Sequence, residues 1–225
     1  MVKRTLLPAS FAAWILLTGC SDRGLRKDAR EALARRDGER AARFYSELVD
    51  RDPADSRSRR GLAEALVLVA RERDEDGEGK PADWSRAARE FDRLDDRDSA
   101  TSRLRDECGL GKARSQLHAG DTDRAVRTLH GALERNPRAT ASRNLLAIVL
   151  DRQGEHGRAE DLFLQNTAID STDADSWFNL ALVEWSRGRR IQAAEHILHA
   201  SRLNPKDPEI LLWLERIATL EDPGR

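Results

Sequence analysis

The stretch "DSWFNLALVEWSRGRRIQAAEHILHASRLNP", Asp175 to Pro205, decides how this chain folds. Its apolar residues return every three or four positions, as Trp177, Leu180 and Ala181 before Gly188 and as Ala193, Ile197 and Ala200 after it. That spacing puts them on one side of each of two helices. Gly188 permits the tight turn between the helices, and Pro205 stops the second because it cannot donate the next backbone hydrogen bond. Small Ala181 and Ala193 let the two helices approach closely. Larger Trp177, Leu180 and Ile197 fill the space to the next pair.

The pattern recurs upstream with a period of 34. Gly120, Gly154 and Gly188 keep that step, as do Ala113, Ala147 and Ala181, and Leu129, Phe163 and Ile197. A fixed period of this length signals a solenoid, in which each unit buries its apolar face on its neighbour. Five units are read. The fourth spans about 140–173, and the third has its first helix starting near Thr101. The second is split into helices near 56–71 and 84–94, around "ERDEDGEGKPAD" (72–83), a charged segment with two glycines and a proline that predicts a long exposed loop. The first begins near Leu25 and turns at Asp37-Gly38. Residues 207–220, "DPEILLWLERIATL", predict a closing helix capped by Asp207, with Pro208 in its first turn and a polar outer side. Residues 221–225 are a tail.

These residues resemble the tetratricopeptide repeat (TPR) family. Trp177, Leu180, Ala181, Ala193, Ile197, Ala200 and Pro205 match its Trp, Leu, Gly, Ala, Phe, Ala and Pro, while Glu184 replaces the usual aromatic. The resemblance covers about residues 25–220. It implies an all-α fold, a TPR solenoid of antiparallel helix pairs forming a right-handed superhelix with a C-terminal capping helix. It also implies a concave groove lined by the first helix of each pair. The partner-facing positions on this register are Glu107, Arg114 and His118, then Asn144, Ile148, Asp151 and Arg152, then Asp175, Phe178, Asn179, Leu182 and Trp185. Phe178 reads equally as a partner anchor or as packing against the closing helix. Trp185 reads as packing against Trp213. The carboxylate clamp of some family members is absent, because Glu209 and Trp213 stand where positive charge is needed. The implied partner is a protein or peptide segment.

The start of the chain has a different character. "WILLTGCSDRG", Trp14 to Gly24, ends an apolar run that follows Lys3 and Arg4. A basic start, a short apolar core and then small residues form a secretory signal, and the core is short of the ~20 residues of a spanning helix. Leu17-Thr18-Gly19-Cys20 resembles the lipobox of bacterial lipoproteins. The resemblance implies removal of residues 1–19 and a covalent lipid on Cys20, with membrane attachment through it. Ser21 after the cysteine implies sorting to the outer membrane, at its periplasmic face. Residues 20–24 then read as a tether reaching at most about 14 Å to the first helix.

Composition narrows the rest. Lys and Arg (39) nearly balance Asp and Glu (40), so no one-signed field points to nucleic acid. His196 and His199 sit three apart on a helix with no HExxH pattern or nearby cysteine, so metal binding is not expected. "GLGKA" (109–113) lacks phosphate-loop spacing. Cys108 reads as a small buried apolar residue. No catalytic set is found, and no cofactor beyond the lipid. The expectation is a non-enzymatic scaffold in cell-envelope assembly, resembling pilotins of type IV pilus secretins, with adaptors of peptidoglycan enzymes or of outer-membrane protein insertion as alternatives and an enzyme or small-ligand-binding protein as the less favoured reading.

Overall fold

The computed structural model describes the backbone of residues 10–94 and 99–221. The first nine residues of the expected signal and the tail at 222–225 lie outside the described residues, as does the side chain of Cys20. Among the described residues the regular elements are helices alone: α1 (Ser10–Ala34), α2 (Gly38–Arg51), α3 (Ser56–Glu75), α4 (Pro81–Asp92), α5 (Ser99–His118), α6 (Thr122–Arg135), α7 (Thr140–Arg152), α8 (His156–Ile169), α9 (Ala174–Ser186), α10 (Arg190–Leu203) and α11 (Pro208–Glu221). The chain divides into two compact units, Met1–Ser115 and Gln116–Arg225. In the first, α1 packs on α2, α2 on α3 and α3 on α4, and α1 also touches α3. In the second, α6 to α11 pack in series and α7 also touches α9. No helix among the described residues is long and apolar enough to cross a membrane.

The 34-residue glycine step has a backbone cause. Gly120, Gly154 and Gly188 hold φ of +78°, +83° and +79°, where a Cβ is strained. Each donates its N–H three residues back, and the next residue donates five back, closing the helix end. In the first pair the same hydrogen bonds are made by Arg36 and Asp37, and Arg36 itself takes φ of +60°. The turn therefore lies at 35–37 instead of the expected Asp37-Gly38. Gly38 is the buried first residue of α2, where a Cβ would stand 3.0 Å from the Leu68 Cβ and from the Val69 N.

Two further expectations change. The loop drawn at 72–83 shrinks to residues 76–80, because α3 runs on to Glu75 and α4 begins at Pro81. Composition suggested a solvated loop, but its ends are claimed by tertiary partners. Arg73 pairs with Asp83 at 2.7 Å, and Asp74 Oδ2 accepts from Trp84 Nε1 at 2.9 Å. Pro81 suits a first helical position, where its missing N–H is not needed. Residues 20–24 likewise are not an extended spacer but lie inside α1. Past Pro8 no proline interrupts this segment, and ion pairs hold the part that follows. Arg51 of α2 meets Asp22 at 2.6 Å, and Arg26 meets Asp55 at 3.1 Å.

Each unit has its own core. In the first, Ala29, Ala41, Ala63 and Ala87 are fully buried among Tyr45, Trp84, Phe91 and Cys108. Alanine at these points lets helices approach, and the aromatics fill the remaining space. In the second, Ala181, Ala193, Ile197 and Ala200 of α9 and α10 bury Ile210 of α11. Around them Leu129, Leu146, Phe163 and Leu180 are buried almost completely.

Asp55 ties the first unit together and gives its stability a pH dependence. It caps α3, accepting from Arg57 N at 3.1 Å and from Ser58 Oγ at 2.6 Å while pairing with Arg26. Burial pushes its carboxyl up, but the Ser58 hydrogen bonds, Arg26 and the Arg57 N–H together hold it below the usual range. A depressed folded pKa gives stability that is present above the unfolded value near 4 and is lost as pH falls through the folded one. Asp55→Asn keeps a capping oxygen and removes the charge. It is expected to cost about 1 kcal/mol at pH 7, with the difference closing toward pH 3. Urea titrations of both chains across that range check this, and a gap independent of pH rules it out.

Candidate functional site

In the second unit α7, α9 and α11 are the first helices of successive pairs, and the open face they supply is the candidate site. It is built around the end of α9. Phe178, Leu182 and Trp185 pack with Trp213, Leu214 and Ile217 of α11. The Trp185 and Trp213 rings meet edge to face, with centroids 5.3 Å apart. Arg216 lies over both, 4.7 Å from the Trp213 centroid and 5.8 Å from that of Trp185. Arg190, the first residue of α10, lies 5.6 Å from the Trp185 centroid. The result is a ladder of guanidinium, indole, guanidinium and indole. Beside it Leu212 is 63% exposed and floors a shallow hollow shared with Trp213, Glu215, Arg216 and Thr219.

The opposite end of the same face is acidic. Asp173 caps α9, accepting from Asp175 N, and Asp207 Oδ1 accepts from Glu209 N and Ile210 N at the start of α11. Burial pushes the Asp175 carboxyl up, and Asp173 and Asp207 add to that. The face thus runs from acidic at the helix starts to cationic where α9 ends.

The structure sorts the twelve expected groove positions. Glu107 and Arg114 belong to the first unit, the other ten to the second. Arg114, His118, Arg152 and Asp175 are exposed, and Ile148, Asn179 and Leu182 are half-buried. Four others are committed within the protein. Phe178 is only 6% exposed and packs in the α9–α11 core, which settles its two readings in favour of packing. Trp185 packs on Trp213, as its register implied. The carboxylate of Glu107 is gripped in a two-pronged pair by Arg71 of α3. Asn144 joins three helices: its Oδ1 accepts from Asn166 Nδ2 at 2.5 Å and from Ser176 Oγ at 3.0 Å, and its Nδ2 donates to Asp173 at 3.4 Å. Its carbonyl oxygen is filled by these bonds, and one amide N–H is left for a partner. Asp151 is also engaged, 2.7 Å from His156 Nδ1.

The histidines have a similar explanation. His196 Nδ1 stands 2.7 Å from the buried Glu184 carboxylate, so the residue that replaces the family aromatic is balanced by a histidine on α10. Trp177 lies between His196 and His199, at 5.2 and 4.6 Å between centroids. No group of three or more His, Cys, Asp or Glu disposed to hold a metal occurs among the described residues.

Register alone did not reveal Arg190 and Arg216. The signal was present in Trp213-x-x-Arg216, since residues three apart on a helix meet.

Known proteins share the fold. A tetratricopeptide repeat profile matches residues 110–174. The fold is that of tetratricopeptide repeats. The TPR likeness extends to solved structures at low sequence identity. BtubC (BKLC) from P. vanneervenii is 16% identical with a TM-score of 0.65, covering 87% of this chain and 83% of that one. MamA is 16% identical with a TM-score of 0.55, over 79% of this chain and 95% of its own. YrrB is 18% identical with a TM-score of 0.54, over 84% and 88%. No curated protein matches the TPR chain in sequence.

Proposed function

We propose that this chain is a lipid-anchored TPR scaffold at the periplasmic face of the outer membrane, where it binds protein segments during cell-envelope assembly. The specific form of the proposal is a pilotin-like role toward a type IV pilus secretin. The observation that carries the scaffold reading is the open α9–α11 face, where Leu212 and the Trp185–Trp213 pair stand beside cations in a fold built for surface contact. YrrB, which shares the fold, is described as a TPR protein with an unusual peptide-binding site. The anchor rests on Leu17-Thr18-Gly19-Cys20 after a short apolar run.

Two readouts test the two halves. A photo-crosslinking residue at Leu182, on the open face, is expected to capture an envelope protein in living cells. The same residue at Leu198, exposed on α10, is expected to capture none. Equal capture from both positions, or from neither, removes the scaffold reading. Cys20→Ser is expected to abolish palmitate labelling and release the chain from membranes. A variant that stays membrane-bound, or a parent chain that takes no label, removes the anchor.

A further inference from the structure

We propose that the ladder of Arg190, Trp185, Arg216 and Trp213 is a docking site for an acidic peptide segment carrying one large apolar side chain. The proposal rests on the scaffold reading and names the chemistry of its partner. Three features of the ladder call for the same ligand. Neither Arg190 nor Arg216 has a carboxylate partner among the described residues. Neither the Trp185 nor the Trp213 indole N–H donates to an acceptor there, whereas those of Trp84 and Trp177 do. The first turn of α10 opens beside Arg190 with no acidic residue and no side-chain cap at Arg189, so its N–H groups add to the positive end of the helix. These groups are all donors, and a donor-only surface is completed by carboxylates.

The apolar part follows from Leu212. It is 63% exposed and lines a hollow with the Trp213 indole and Thr219 that suits a Leu or Phe side chain. Glu215 stands on the rim of that hollow and repels acidic groups there, so the segment's carboxylates lie toward Arg190 and its apolar residue toward Leu212. The acidic start of the face, at Asp173, Asp175 and Asp207, closes the other end to an acidic chain. A flat anionic surface fits less well, because two cations alternate with indoles and are flanked by carboxylates. The stacking also holds both guanidiniums in place before the ligand arrives, which reduces the ordering cost of binding.

The probe is an end-capped, fluorescein-labelled Asp-Glu-Leu-Phe-Glu-Asp peptide, titrated into the detergent-solubilised full chain and followed by anisotropy. Saturable binding is expected, weakened about tenfold or more by Arg216→Glu and by Arg190→Glu, and weakened again by salt. Trp213→Phe keeps an aromatic face but removes the pyrrole ring with its N–H, and a severalfold loss is expected. Replacing the acids of the probe with Lys is expected to abolish binding, and replacing Leu-Phe with Ala-Ala to reduce it about tenfold. Circular dichroism confirms that the exposed-residue variants remain folded. Equal binding of the Lys probe, or unchanged binding by Arg216→Glu, overturns the proposal. So does a peptide-blind chain that self-associates in sedimentation and is made monomeric by Leu212→Glu, since a second copy then owns the face. Each of these failures leaves a cross-link at residue 182 standing, so the scaffold reading is judged separately.

Discussion

Asn166→Ala is expected to lower the stability of the second unit by about 3 kcal/mol. Asn166 is fully buried on α8 and uses both ends of its amide. Its Oδ1 accepts from Arg143 Nη1 at 2.9 Å, and its Nδ2 donates to the Thr140 carbonyl at 3.0 Å and to Asn144 Oδ1. Arg143 is itself only 5% exposed, and its other terminal nitrogen donates to the Pro137 carbonyl. Truncation leaves Nη1 of a buried cation without its acceptor and removes a donor from the Thr140 carbonyl and from Asn144, while Arg143 keeps Pro137 and Asn144 keeps Ser176. A lone neutral hydrogen bond is worth about 1 kcal/mol, and the stranded charge raises the figure. Asn166→Asp keeps an acceptor for Arg143 but turns its second oxygen toward the Thr140 carbonyl and Asn144 Oδ1, so it too is expected to lose stability. Urea denaturation followed by circular dichroism measures both. A loss of only about 1 kcal/mol for Asn166→Ala would show that the Arg143 contact carries no weight.

The second large effect lies in the first unit. The Trp84 ring rests directly on Gly111, where a Cβ would fall 2.2 Å from the indole. The ring cannot easily withdraw, because its Nε1 donates to Asp74 and its body is buried beside Ala87 and Phe91. Gly111→Val is therefore expected to cost about 3 kcal/mol, at the upper end of overpacking effects. The fluorescence of Trp84 should change as the indole is displaced. Gly157, in the first turn of α8, has nothing within 4 Å of the place a Cβ would take and is the control. Gly157→Ala is expected to raise stability by about 0.5–1 kcal/mol through helix propensity alone. Opposite signs at two helical glycines separate steric demand from propensity, and the same sign at both would refute the account.

The parts of the fold readable in the sequence are those fixed by local demand. Gly120, Gly154 and Gly188 recur because the backbone there needs positive φ, and the period follows from that. Ala113, Ala147 and Ala181 recur because no larger side chain fits, and all three are fully buried. The helix ends at 75, 81 and 20–24 were not readable in this way. They depend on Arg73 with Asp83, Asp74 with Trp84, and Asp22 with Arg51, pairs that composition does not reveal. The site divides along the same line. Repeat register placed Trp185 against Trp213. It did not reveal the partners of Glu107 and Asn144, because residue type at a face position does not show that Arg71, Asn166 or Ser176 bonds the side chain.

The continuity of α1 turns the start of the array into a rod. Residues 21–24 advance about 6 Å as helix, less than half of what they span when extended. A leash would leave the azimuth of a group attached at residue 20 free, whereas a rod fixes it. The Asp22–Arg51 and Arg26–Asp55 pairs act as two bolts that set the rod against α2 and α3. One residue inserted between 20 and 22 swings the attachment point about 100° around the axis, while seven return it to within about 20° and lift it by about 10 Å. If residue 20 carries the proposed lipid, phase as much as distance governs which side of the first unit faces the membrane.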